Sequence, residues 1–138
     1  MSRIEALARY KWRSPELPLC VINVRAMELS ARLDIPLLRW QEDGLGDVNG
    51  FGCRLSSGLV LLVEEAAHAV QYLGATGPTI YVESMHVAAR GIAPVISEVI
   101  AGLHLSMENL TWYQTEGGLK EAAEQSAQIG SRGGENGG

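Results

Sequence analysis

The hydrophobic positions of the chain change period along its length, and that change lays out the elements. Near the N-terminus Ile4, Leu7 and Ala8 recur at i, i+3 and i+4 behind Ser2, which predicts a short amphipathic helix over 2–12. Ser14-Pro15-Glu16 is a second helix-start signal: a capping hydroxyl, a proline at the first helical position and an early acid. Leu19, Ile22, Ala26, Leu29 and Leu33 then form one stripe, widened by Cys20, Val24, Met27 and Ala31, so a helix is expected to run to about Leu33. Pro18 and the β-prone run LCVINV oppose it and keep an alternative open, a strand over 19–22 followed by a helix capped by Asn23. Pro36 closes the helix in either case.

The middle of the chain follows a different rule. Leu37–Gln41 reads as a strand and Glu42–Gly50 as a glycine-rich loop. Phe51, Cys53 and Leu55 alternate with Gly52 and Arg54, the pattern of a half-buried strand. Ser56-Ser57-Gly58 is a hairpin turn, and Leu59–Val63, apolar on both faces, is a central strand covered on both sides and ended by Glu64-Glu65. Val70–Leu73 is a further short strand candidate, Gly77-Pro78 a turn, and Thr79–Glu83 a strand of high β-propensity.

Helical spacing returns at Ile92, Val95, Ile96, Val99, Ile100 and Leu103, with Pro94 tolerable in the first turn. Ser106 with Asn109 marks a turn or cap, Leu110–Gln114 a short strand, and Leu119–Ile129 a last amphipathic helix after Gly117-Gly118. Residues 1–129 thus read as one globular α/β (α+β) domain, a mixed, mainly antiparallel sheet of four to five strands flanked by helices. Residues 130–138 hold no apolar group to bury and read as a flexible glycine-rich tail.

A length of 138 residues is enough for one core without staples. No apolar run reaches the roughly 18 residues of a membrane span, and the N-terminus lacks the apolar stretch of a secretory signal, so a cytoplasmic location is expected. Cys20 and Cys53 are far apart in sequence and read as buried free thiols.

Charge is unevenly placed. Residues 1–41 carry seven basic against four acidic groups, whereas residues 42–83 carry six acids (Glu42, Asp43, Asp47, Glu64, Glu65 and Glu83) against Arg54 alone, within a net charge of -5. Such an acidic stretch argues against nucleic acid as the ligand of that surface and suits a basic protein partner.

The search for chemistry is less productive. His68, His86 and His104 have no partner at metal-binding spacing, and no H-E-x-x-H occurs. His86 lies where a strand gives way to a helix, a common place for functional groups, but reads as a surface or capping histidine; His104 suits a helix C-terminus. Asp43, Asp47, Asn49 and Gly50 miss the calcium-loop register at Leu45, and Gly44, Gly46 and Gly50 fit no phosphate loop. Adjacent Glu64 and Glu65 point to opposite faces of a strand and form no acid/base dyad; they read as a solvated strand end. One residue of Trp112-Tyr113 is expected in the core and the other exposed, where an aromatic beside acids makes an interface anchor. No catalytic, cofactor or metal constellation emerges.

The acidic stretch from Glu42 to Glu83, the hairpin GFGCRLSSGLVLLVEE and the series TIYVES…ISEVIAGLHL…LTWYQ resemble, in architecture and charge, the bacterial toxin-immunity proteins of contact-dependent inhibition systems. The resemblance implies direct neutralisation of a cognate, often basic, nuclease-type toxin by covering its active site, with the six acids as the partner-binding residues; no cofactor is expected from the residues. The alternative is a small-molecule-binding or regulatory domain, or a small enzyme whose site is completed by oligomerisation.

Overall fold

The computed structural model describes residues 5–7, 16–42, 46–66 and 77–121, with Glu5–Leu7 and Glu42 as backbone only. The elements are β1 (Glu5–Leu7), β2 (Glu16–Ile22), α1 (Ala26–Leu33), β3 (Leu38–Glu42), β4 (Gly46–Arg54), β5 (Val60–Ala66), β6 (Thr79–Glu83), α2 (Ser84–Arg90), α3 (Ile92–Gly102), a 3-10 turn (Met107–Asn109) and β7 (Leu110–Tyr113). A helical segment over 116–121 follows.

The strands form one sheet in the order β1-β4-β5-β6-β2-β7, with β3 also on β4. β3 pairs with the first half of β4 (Leu38 opposite Gly50, Glu42 opposite Gly46) and β1 with its second half (Glu5 opposite Arg54, Leu7 opposite Gly52). The two short strands therefore share one edge of β4 end to end, and the sheet is six positions wide. Every described pairing is antiparallel. The α+β class and the antiparallel character agree with the sequence; the strand count exceeds four to five because two segments read as helix are strands.

The first of these is Glu5–Leu7, where the helix over 2–12 was expected. The second is Glu16–Ile22, so the alternative of a strand before α1 is the one adopted. Pro18 explains the choice. In a helix it would remove a hydrogen bond and clash with the preceding turn, whereas here it sits where β2 shifts register on β6 between Pro18 and Cys20. The bulge lets consecutive Leu19 and Cys20 both be buried. α1 starts at Ala26 without a side-chain cap. Asn23 does not cap it; its Oδ1 accepts from Nδ2 of Asn109 at 3.1 Å. Asp34, at φ 55°, ends α1 in the left-handed conformation, and Ile35 N–H donates to Ser30 O at 2.9 Å before Pro36.

Register sorts the strands into two faces. Phe51 opposes Val63, Cys53 opposes Leu61, and these continue to Ile80 and Val82 on β6. On this face Ala26 and Leu29 of α1 and Val95 and Val99 of α3 complete one buried cluster. Val48 and Val60 are buried on the opposite face, but Leu62 and its neighbour Tyr81 are only half-buried there, so the double coverage that the unbroken run Leu59–Val63 implied is partial. The β4–β5 turn forms as expected: Gly58 N–H donates to Leu55 O and Leu55 N–H to Leu59 O, both at 2.8 Å. Gly46–Gly50, expected in a loop, is the first half of β4 instead, because pairing to both β3 and β5 satisfies its backbone groups. α3 begins at Ile92 with Pro94 in its first turn, and Ile92 N–H donates to Glu116 Oε1 at 3.0 Å.

The strand candidate Val70–Leu73, His68, most of the last helix and the tail over 130–138 lie outside the described residues. Among the described residues no helix is long and apolar enough to cross a membrane.

Candidate functional site

The acids of the 42–83 stretch do not share one surface. Asp43 lies outside the described residues, and Glu42 is placed only by its backbone, opposite Gly46. Asp47 is part-exposed beside Gln41, whose Nε2 donates to its Oδ1 at 3.3 Å. Glu64 is half-buried and follows Leu62 on the face away from α1. Glu65 is on the helix-covered face and only 6% exposed, and Glu83 is completely buried. The expectation that Glu65 and Glu83 belong to an acidic exterior, and that Glu64-Glu65 is a solvated strand end, is thus corrected. β5 continues to Ala66, and strand alternation turns Glu65 inward while its neighbour turns away.

Burial requires Glu65 to be compensated. Arg25, at the start of α1, reaches it with Nε 2.6 Å from Oε2, while the rest of the arginine stays largely in solvent. The pair ties α1 to β5 across 40 residues of sequence.

A second charged group joins α2, α3 and the hairpin tip. His86 is in the first turn of α2, 17% exposed, with Nε2 3.7 Å from Oε1 of buried Glu83. That distance is beyond a hydrogen bond, and the buried Nε2 has no hydrogen-bond partner among the described residues. His86 is therefore neither a surface nor a capping histidine. Arg90, at the end of α2, pairs with Glu98 on α3. Burial alone would raise the Glu98 pKa; hydrogen bonds from Ser57 and Arg90, with the charges of Arg90 and His86, outweigh it and hold it below the ordinary range of a glutamate. A depressed carboxylate stabilises the fold above its unfolded pKa, and that contribution is lost as pH falls through the folded one. Glu98→Gln is accordingly expected to lower the melting temperature at pH 7 and to make progressively less difference as pH drops below about 4.5. Parallel thermal melts of the two proteins at pH 7 and at acid pH check this.

The thiols carry no redox chemistry between them. Cys20 and Cys53 are both buried and free. They lie on β2 and β4, three strand positions apart, a separation of about 14 Å at normal spacing and far beyond the roughly 7 Å limit of a disulfide. Burial pushes both pKa values up to about 12. Neither thiol is expected to react with a disulfide reagent in the native state at pH 8, and both should react in denaturant; a colorimetric thiol titration reads this directly.

The end of the sheet carries a different kind of feature. Trp112 and Tyr113 on β7 are 43% and 47% exposed, so both aromatics are on the surface and neither is core. β7 is the outermost strand of the described sheet, pairing among the described residues with β2 alone. Met107 in the preceding turn is exposed as well, and Glu108 and Glu116 flank the strand in sequence and are exposed. Comparison with known proteins finds no matching family model, no matching curated protein and no matching solved structure. The site therefore rests on this geometry. The sequence singled out this aromatic pair, but expected one ring in the core; the fold exposes both. Among the described residues no three groups of metal-ligating type come together.

Proposed function

We propose that this protein acts by binding another protein and that, like an immunity protein, it neutralises a cognate toxin in the cytoplasm by direct contact. The observation that carries the reading is the exposed Trp112–Tyr113 pair at the sheet edge, with Met107 beside it in sequence. Large aromatics concentrate binding energy where they can be desolvated, and leaving two exposed on one edge strand costs a protein solubility unless a partner covers them. The net charge of -5 favours a basic partner, such as a nuclease-type toxin, over nucleic acid. Of the six acids, Glu42, Asp43, Asp47 and Glu64 stay in the proposed attraction; Glu65 and Glu83 do not.

The test is co-expression and affinity capture with the product of the adjoining gene. Trp112→Ala with Tyr113→Ala is expected to weaken capture by about 2 kcal/mol or more, roughly 30-fold, with the melting temperature little changed. Reversing Glu42, Asp43 and Asp47 to lysine should slow association, as should added salt, with a smaller effect on dissociation. A double variant that captures the partner as wild type does would overturn the assignment of the surface.

A small enzyme or ligand-binding domain is the second reading, and the buried, unbonded Nε2 of His86 beside Glu83 favours it. His86→Ala separates the two. Under the binding reading neutralisation survives; under the enzymatic one function is lost while circular dichroism shows the fold intact.

A further inference from the structure

We infer that β7 receives an extended, basic segment of the partner as an added β-strand, with the side chains of that segment alternating between the two exposed aromatics. The inference rests on the protein-binding reading and specifies how the contact is made.

The backbone of β7 supplies the first argument. Gln114 N–H donates to Leu19 O at 2.8 Å, and Cys20 opposes Tyr113 while Val21 opposes Trp112. In an antiparallel pair successive residues direct their amides to alternate sides, so Trp112 and Gln114 face β2, and the N–H of Tyr113 points away from it. Among the described residues no strand pairs with β7 on that side. That N–H is available to a seventh position in the sheet.

The side chains supply the second. Trp112 shares the face of Val21, and Tyr113 shares the helix-covered face with Cys20. The two rings therefore stand on opposite faces of the sheet. A strand laid against β7 would run between them, and each ring would cover alternate side chains of the newcomer. Two exposed aromatics at adjacent positions of one strand suit this arrangement better than docking against a single face.

Charge decides the occupant. In the sequence on either side of β7 the exposed charged groups are Glu108 and Glu121 against Lys120, with Glu116 exposed but also accepting from Ile92 N–H, on a chain of net charge -5. A second copy of the chain would bring the same acids together, whereas a segment carrying lysine or arginine between apolar residues meets both the rings and the carboxylates. β7 has only four residues, so the added strand is short and the remaining affinity comes from the body of the partner.

Two peptide probes and one substitution test this. The probes are blocked octapeptides of alternating lysine and valine, and of alternating glutamate and valine. With wild-type protein at saturating lysine–valine peptide, the Tyr113 amide is expected to exchange at least tenfold more slowly by NMR, with shift changes centred on β7. The glutamate–valine peptide should leave it unaffected. Tyr113→Ala and Tyr113→Pro both remove the ring, but only the proline removes the outward N–H, at an edge position where no bond to β2 is lost. Proline is expected to bind the lysine–valine peptide at least tenfold more weakly than alanine does.

Unchanged Tyr113 exchange in wild-type protein overturns strand addition without recourse to any variant. So does self-association through β7 at micromolar concentration in sedimentation. If the captured whole partner binds Tyr113→Pro and Tyr113→Ala alike but Trp112→Ala poorly, strand addition fails and protein binding stands. If none of the three weakens capture, both fail together.

Discussion

Replacing Phe51 with alanine is expected to destabilise the fold by about 4 kcal/mol, within the roughly 3–5 kcal/mol range for emptying a buried aromatic site. Phe51 is the one phenylalanine of the chain and is 1% exposed. It sits in the middle of β4, opposite Val63, on the face that packs against α1. β4 is also the strand with the most neighbours, paired to β1, β3 and β5, so its backbone is held from both sides and has little freedom to collapse into the space. Against a total stability of about 5–15 kcal/mol such a loss is large. Urea unfolding measures it: the midpoint should fall with the slope unchanged. Phe51→Leu, which keeps most of the volume, is expected to cost about 1 kcal/mol. Equal effects for the two variants would show that the site relaxes freely.

Gly50→Ala is expected to be nearly as damaging, at about 3 kcal/mol or more, although it adds a single methyl group. A Cβ at Gly50 would stand 2.0 Å from the carbonyl oxygen of Val63 and 2.8 Å from the ring of Trp40. The ring could turn aside; the carbonyl belongs to β5, whose pairing to both β4 and β6 holds it in place. Gly102→Ala is the informative control. There the nearest atoms are the Cδ methyls of Leu55 at 2.8 Å, the far end of a flexible side chain, and alanine is favoured over glycine in a helix by about 1 kcal/mol. Thermal melts should place Gly102→Ala close to wild type and Gly50→Ala far below it. If Gly50→Ala matched the control, the β4–β5 ladder would have to be looser than its register implies.

The two substitutions also mark what a reader of the chain can and cannot see. Phe51 was identifiable as inward from its alternation with Gly52 and Arg54. The demand on Gly50 was not, because it arises from a carbonyl 13 positions later and a ring 10 positions earlier. The same division runs through the candidate site. Trp112 and Tyr113 were recognisable as possible anchors, yet alternation on an assumed two-faced core predicted that one would be buried. Glu65 and Glu83 counted towards an acidic exterior because a charge tally carries no depth. The buried carboxylate of Glu65 is held by Arg25, which belongs to the basic N-terminal stretch, so two regions of opposite charge in the sequence meet in the fold.

What the sequence by itself determined was local. Ser56-Ser57-Gly58 could only be a tight turn between two apolar strands, TIYVE is β-branched and aromatic enough to be a strand anywhere, and the spacing from Ile92 to Leu103 buries one face of a helix and nothing else. In each case nearest-neighbour sterics and periodicity leave a single economical solution. The tertiary structure decided the rest. It chose a strand for Glu16–Ile22, where helix and strand patterns overlapped, because β6 and β7 offer that segment partners on both edges. It turned Glu83 inward and brought Glu98, Arg90 and Ser57 together near His86. It left β7 at the end of the sheet with both rings uncovered. Those outcomes depend on which strands become neighbours, a property of chain closure over tens of residues that no short window of sequence contains.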